Sequence, residues 1–396
     1  MFAKQNYQWE HESFTVPAEV AERFATTIQD NGQKQEDAWK ALFEEYRAAH
    51  PELAQQFEDA YAGKLPENWQ EALPVYEVGD AEKATRVTSQ EAIQAIGKTL
   101  PNFWGGSADL SSSNNTMNKE AEDFDATNYA GRNIWYGVRE FAMAAAMNGI
   151  ALHGGTTTYA GTFFVFSDYL RAAIRLAAIS ELPTIYVLTH DSVAVGEDGP
   201  THEPVEHLSS YRGMPNTNVI RPADGNEVSA AWKVAVESKD TPTLLVLSRQ
   251  NLAVLEGTKE NAHDGVRKGA YVLSPQQGEK PEGILIATGS EVSLAIEAQK
   301  QLKEKGIDVS VVSMPNMHAF EQQDAAYKES VLPNDVRTRM SIEMAATFGW
   351  ERYVGLDGFA YGIDRWGASG PGGTVTSKLG FTADQVVDAY VAKFQK

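Results

Sequence analysis

The feature that most constrains the fold of this chain is a rhythm of short apolar runs separated by helical stretches. Ile185-Tyr186-Val187-Leu188, Thr243-Leu244-Leu245-Val246-Leu247, Val219-Ile220 and residues 284–287, 308–312 and 339–343 are apolar runs, rich in β-branched residues and of strand length. Between them lie helical patterns over Ser89–Leu100, Glu140–Ala151, Ser167–Ile179, Asn226–Ser238 and residues 291–305, with a last amphipathic helix after Thr382. Strands joined by helices build a mostly parallel sheet covered on both faces. The expected fold class is therefore α/β: two doubly wound, mostly parallel-sheet domains preceded by a helical arm. The arm is residues 1–78, polar and helical with no strand run, and polar sequence at 256–265 divides the rest into 79–260 and 261–396.

Composition excludes several classes of function. The net charge of −20, with no basic run longer than a pair, argues against a nucleic-acid partner. The absence of cysteine rules out disulfides and thiolate chemistry and is compatible with a cytoplasmic home. No apolar stretch has the length of a membrane span, and the N-terminus lacks a signal pattern, so no membrane partner is expected.

Polar residues cluster where such a fold binds ligands. His190-Asp191-Ser192 and Gly196-to-Pro204 follow the strand at 184–188, and loops after parallel strands line the ligand crevice. The alternative is a solvated acidic loop. Glu140 opens an apolar helix, where a carboxylate serves either the helix dipole or a proton transfer. Phe163, Phe166 and Tyr169 are spaced by three, as in a core stripe or a wall for a flat ring. His202 and His207 superficially suggest zinc, but their spacing is wrong and Pro204 breaks the helix between them, so no metal ligand is assigned. Arg86, Ser113 and Arg249 stand at element ends; each arginine offers a fork suited to phosphate but is by itself an ordinary surface residue. Thr288-Gly289-Ser290-Glu291 and Gly367-to-Gly373 match neither a dinucleotide fingerprint nor a P-loop and are taken as tight turns.

In order along the chain, Gly105-to-Leu110, Gly137-to-Met143, Thr189-to-Ser192, Gly196-to-Pro204, Arg221-to-Asp224, Ser248-to-Leu252 and Ala287-to-Val292 resemble transketolase. The resemblance implies a linker arm at 1–78, a pyrimidine-binding domain at 79–260 and a C-terminal domain at 261–396. It implies transfer of a two-carbon ketol unit from a ketose phosphate to an aldose phosphate, with thiamine diphosphate and Mg²⁺ as cofactors, in a cytoplasmic homodimer of the pentose phosphate pathway. The family's diphosphate-binding domain carries a Gly-Asp-Gly motif, and none occurs here. The expectation is a truncated or split chain that lacks this domain, needs it for both cofactors and is inactive alone. By resemblance, Glu140 would contact the pyrimidine N1′, with Phe163, Phe166 and Tyr169 forming the ring pocket and Asp109 approaching from the partner subunit. Arg86, Ser113, His190 and Arg249 would hold the sugar phosphate. Asp198 would read a substrate hydroxyl, and His202 would serve the reacting end. Phe141 departs from relatives that place His after the glutamate, which puts a second proton shuttle there in doubt. Alternatives are a dihydroxyacetone synthase or deoxyxylulose-phosphate synthase type of transferase, or a non-catalytic partner subunit.

Overall fold

Strands with no polar face must be covered on both sides, and the chain builds two such sheets. The computed structural model describes residues 2–395 and falls into two units, Met1–Lys64 and Leu65–Lys396. In chain order the strands are β1 Lys83–Ala84, β2 Phe103–Ser107, β3 Asn133–Trp135, β4 Thr157–Phe163, β5 Ile185–Thr189, β6 Asn218–Ile220, β7 Thr243–Leu247, β8 Asn251–Leu252, β9 Tyr271–Ser274, β10 Gly283–Ala287, β11 Val309–Ser313, β12 Arg339–Ile342 and β13 Phe359–Tyr361.

The first sheet has the order β3-β2-β4-β5-β7-β6 and is parallel throughout. Period-two alternation sends Ile185 and Val187 into one core with Phe103, Tyr159 and Trp232, and Tyr186 and Leu188 into the opposite core with Met143, Phe164 and Leu170. The second sheet, β13-β12-β10-β11-β9, is parallel except for β9, which pairs antiparallel with β11. Its two faces are covered in the same way: Leu285 and Ala287 pack into one core, Ile284 and Ile286 into the other. The doubly wound α/β class expected from the alternation is the one observed.

Topology places the crevices. The chain leaves β2 to pair β3 on one side and β4 on the other, so strand order reverses between β2 and β4. In the second sheet the reversal falls between β10 and β12. Ligands of open α/β sheets bind outside the carboxyl ends of strands at such points.

The polar unit at Met1–Lys64 is helical, with Asp30–Ala49 and Pro51–Tyr61 its longest helices. Arg47 forms a bidentate pair with Glu58 at 3.0 and 2.7 Å, and Phe43 packs on Phe57 with ring centroids 5.3 Å apart. Among the described residues, its helices bury only Ala54, and Trp39, Leu42 and Phe57 stay exposed.

Candidate active site

The carboxyl edge of the first sheet gathers nearly all of the candidate residues. Asp109 and Ser113 follow β2, Glu140 follows β3, Phe163 ends β4, His190 follows β5, and Arg249 follows β7. Arg86 arrives differently, in the first turn of the helix Thr85–Thr99. That turn is fixed beside Arg249 because Thr85 and Ser248 bond each other reciprocally: Thr85 N donates to Ser248 Oγ at 3.0 Å and Ser248 N to Thr85 Oγ1 at 2.6 Å. The short β1–β8 pairing continues the seam.

An aromatic wall forms one side. Phe163 and Phe166 lie parallel within 4°, ring centroids 5.9 Å apart, and Tyr169 extends the row 6.1 Å from Phe166. These residues are not one helical stripe. Phe163 ends a strand, Phe166 sits in a single 3₁₀ turn, and Tyr169 lies in the helix Ser167–Ile179, so three kinds of backbone share one surface. Two imidazoles meet the wall: His190 stacks on Phe163 at 3.7 Å, and His202 stands edge-on to Phe166 at 5.3 Å.

His190 has a defined protonation. Burial, followed by Arg86, Arg249 and His202, pushes its pKa down to about 3, so the ring is neutral. A chain of hydrogen bonds then selects the tautomer. Ser107 Oγ donates to Gly161 O at 2.7 Å and accepts from Asn114 Nδ2 at 2.6 Å. Thr189 Oγ1 gives its one proton to Asn114 Oδ1 at 2.7 Å, so it accepts from His190 Nδ1, 2.9 Å away. His190 Nε2 is left as a lone pair for a ligand.

Arg86 and Arg249 supply uncompensated positive charge. Burial, then Arg249, holds the Arg86 guanidinium below its ordinary value. Among the described residues, no carboxylate lies within ion-pair distance of either. Arg86 Nη1 donates to the Ser113 backbone carbonyl at 2.5 Å, so the short helix Ser111–Asn114 is tied to the arginine through its main chain.

Glu140 is half-buried in the first turn of the helix Glu140–His153, which packs on the helix Ser167–Ile179 of the aromatic wall. Asp109 is exposed, with the left-handed φ of +67°. Asp198 is exposed and His202 partly buried on the loop 196–204. That loop docks on the glycine-rich segment of the second half: Gly370 N donates to Gly196 O at 3.4 Å and Ser369 Oγ to Glu197 O at 2.8 Å. A Cβ on Gly196 would stand 2.6 Å from Gly372 N, so glycine is required there. Arg86, Ser113, Phe163, Phe166, Tyr169, His190, His202 and Arg249 thus converge through direct contacts or mutual electrostatics. Asp109, Glu140 and Asp198 share the same sheet edge; among the described residues, none of the three is hydrogen-bonded or ion-paired to that group.

Sequence reasoning misses the residues behind this surface. Thr189 and Asn114 orient His190. Glu203, 2% exposed, seats its carboxylate against Gly367; burial raises its pKa, opposed by the Ala368 and Gly196 amides. Only the strings Thr189-to-Ser192 and Gly196-to-Pro204 hint at these roles.

Two mostly parallel α/β sheets, the first with a cationic, ring-lined crevice at its carboxyl edge, define a class of α/β proteins whose crevice suits an anion beside a flat ring. Comparison narrows the class. Residues 81–254 match the family model described as transketolase, pyrimidine binding domain, and residues 269–382 the transketolase-like C-terminal domain. Residues 1–66 match transketolase, thiamine diphosphate binding domain. The chain belongs to the transketolase family. It is 59% identical over 389 residues to a transketolase of Streptococcus pyogenes, covering 98% of this chain and 53% of that protein. It is 56% identical to that of Bacillus subtilis, covering 99% of this chain and 59% of the relative. A crystal structure of a Pichia stipitis transketolase in complex with sedoheptulose 7-phosphate superposes with a TM-score of 0.92 at 45% identity, covering 96% and 56% of the two chains. The chain thus spans somewhat more than half the length of the relatives it matches.

The match at residues 1–66 corrects one expectation. The helical segment is matched sequence of the thiamine diphosphate-binding domain, not merely a linker, so the reading of a chain without that domain fails. The inference that the chain is inactive for want of it loses its support. Searching for Gly-Asp-Gly misleads because one short motif is not the whole of a domain.

Proposed function

We propose that this protein transfers a two-carbon ketol unit between sugar phosphates, using thiamine diphosphate. The observation that carries the reading is the pair Arg86 and Arg249 beside a neutral His190, without an acidic partner and next to an aromatic wall. A dianionic phosphate supplies the missing counter-charge, and the bidentate fork of arginine suits its oxygens. The Pichia stipitis relative, seen with a seven-carbon ketose phosphate, supports this substrate class.

The residues present fit the cofactor. The parallel faces of Phe163 and Phe166, continued by Tyr169, offer a flat apolar surface of the kind a pyrimidine stacks on. When bound, thiamine diphosphate supplies the carbon nucleophile that attacks the ketose carbonyl. Glu140 would hold a proton at the pyrimidine N1′. Asp109 of the partner subunit would face the thiazolium ring. His202 would exchange a proton with the substrate oxygen at the reacting carbon, and Asp198 would accept a sugar hydroxyl. Arg86 and Arg249 would neutralise the phosphate at the far end, Ser113 would help hold it, and His190 Nε2 would accept a hydrogen bond from a hydroxyl there.

Magnesium is a different matter. Among the described residues, the one group of three with ligand atoms within 4.8 Å of one another is Asp168, Glu206 and His207. An imidazole in the set does not suit a hard cation that takes oxygen ligands, so no step is assigned to a metal here.

The domain assignment follows the two sheets, with 79–260 as the pyrimidine-binding part and 261–396 as the C-terminal part. A homodimer is supported by an unpartnered apolar face. Phe141, Ala142, Ala145, Ala146, Gly149 and Leu152 are exposed on a helix that is apolar nearly all round, and Leu176 and Ile179 are exposed on its neighbour. Among the described residues, no helix is long and apolar enough to cross a membrane, and a cytoplasmic setting is proposed.

The test is direct. With thiamine diphosphate, a divalent cation, a ketose phosphate and an aldose phosphate acceptor, the product is a ketose phosphate two carbons longer than the acceptor. Glu140→Gln lowers the rate by about 10²- to 10⁴-fold. Equal rates for Glu140→Gln and the native protein, or a product not lengthened by two carbons, would overturn the reading.

A further inference from the structure

The crevice at the switch point of the second sheet is filled by the chain itself. Thr288 follows β10 and Glu343 follows β12, on either side of the reversal in strand order. The Arg221 side chain, fully buried, enters there from the loop after β6 of the first sheet. Its Nη1 donates to Thr288 O and to Thr288 Oγ1, both at 3.1 Å, and to Glu291. The backbone is locked as well: Arg221 N donates to Pro315 O, and Gly289 N to Arg221 O, both at 3.0 Å.

The other side of the same guanidinium grips the candidate site. Nε and Nη2 of Arg221 lie 2.9 and 2.8 Å from Asp191 Oδ2, and Asp191 is 2% exposed. Asp191 directly follows His190, whose φ of +65° lies in the left-handed region that strains a non-glycine residue. A side chain held in such a backbone persists only where neighbours over-determine it. Thr189 and Phe163 hold the imidazole on one side, and Arg221 holds the residue after it on the other.

The cluster is not a simple ion pair. Arg212 makes a bidentate pair with Glu343 at 2.7 and 2.8 Å, so two guanidiniums face three buried carboxylates, Asp191, Glu291 and Glu343. Burial raises Glu291 despite Arg221, while Arg212 and Arg221 overcome burial and pull Glu343 down to about 2. Buried clusters of this kind add little net stability but are very sensitive to loss of one member.

We infer that Arg221 is a positioning residue: by clamping Asp191 to the switch-point crevice of the second sheet, it sets the pose of His190 against Phe163 and makes the C-terminal half part of the phosphate end of the site. The inference rests on the proposed reading of that end as a phosphate site, and the experiment separates the two.

Asp191→Asn removes one carboxylate and leaves two guanidiniums facing two glutamates, so it is expected to fold. Arg221→Lys keeps the charge and loses the fork. Arg212→Lys perturbs the same cluster without touching Asp191 and reports a purely structural effect. Thermal unfolding confirms the fold of each. The His190 imidazole, assigned with His190→Gln, is followed by NMR through a pH titration and through a titration with inorganic phosphate. Asp191→Asn and Arg221→Lys should move the His190 pKa from about 3 toward about 6.5 and weaken phosphate binding roughly tenfold. Arg212→Lys should leave both unchanged. If all three lower the melting temperature while His190 and phosphate affinity stay native, the positioning role is refuted. If the variants move His190 but the native protein shows no response to phosphate, the positioning role holds and the phosphate reading fails.

Discussion

His190 shows how much chemistry one side chain acquires from its surroundings. A free imidazole titrates near 6.5, yet this one is held neutral to about pH 3 by burial and three cationic or ionisable neighbours. The sign of the consequence follows from proton counting. Below pH 6.5 the unfolded chain binds a proton at this histidine and the folded protein does not, so lowering the pH toward 3 favours unfolding. His190→Gln should therefore flatten the acid limb, and urea midpoints at pH 7 and pH 4.5 should differ less in the variant than in the native protein. A steeper loss in the variant would contradict the assignment. This much cannot be read from residue order. The string Thr189-to-Ser192 marks the loop, but Asn114 and Arg221 lie far away in sequence and act only through folded geometry. A buried arginine reads from sequence as an ordinary surface charge, so the string Arg221-to-Asp224 marks the resemblance but not the clamp.

At the level of elements, legibility tracks side-chain chemistry. Thr243–Leu247 and Ser167–Ile179 are recovered to the residue because a continuous aliphatic run and a 3.6-residue period are strong signals. The ends of β2 and β4 position Asp109 and Phe163, yet both strands are silent in the sequence. Phe-Trp-Gly-Gly-Ser and Thr-Thr-Tyr-Ala-Gly-Thr-Phe lack the aliphatic runs that mark a buried strand. The glycines of β2 are there for space. A Cβ on Gly105 would lie 1.9 Å from Tyr159 O, and one on Gly106 would lie 1.8 Å from Ile134 O. Neither oxygen can yield without breaking the sheet, so Gly106→Ala should cost about 2–4 kcal/mol, read as a lowered urea midpoint. A variant as stable as the native protein would mean that β2 and β3 are not paired as described.

The whole molecule explains why the aromatic wall is open on one side. The helices Glu140–His153 and Ser167–Ile179 carry Glu140 and Tyr169 and also present the exposed apolar face. In the proposed dimer, burying that face against a second copy would bring another surface to within reach of the same helices and would make association and site completion one event. Ala146→Arg should shift sedimentation from dimer to monomer at micromolar concentration and weaken thiamine diphosphate binding together. Loss of the dimer with cofactor affinity intact would break this link. The glycine-to-glycine seam between the loop 196–204 and the segment 367–373 has a consequence for how such a protein can change. Its acceptors are the backbone carbonyls of Gly196 and Glu197, and a Cβ on Gly196 has no room, so side-chain changes there can retune it little, whereas a one-residue insertion near Ser369 would shift the loop that carries His202. Variation that reshapes ligand preference should therefore gather at the rim of the pocket and leave the length of this carboxy-terminal stretch untouched.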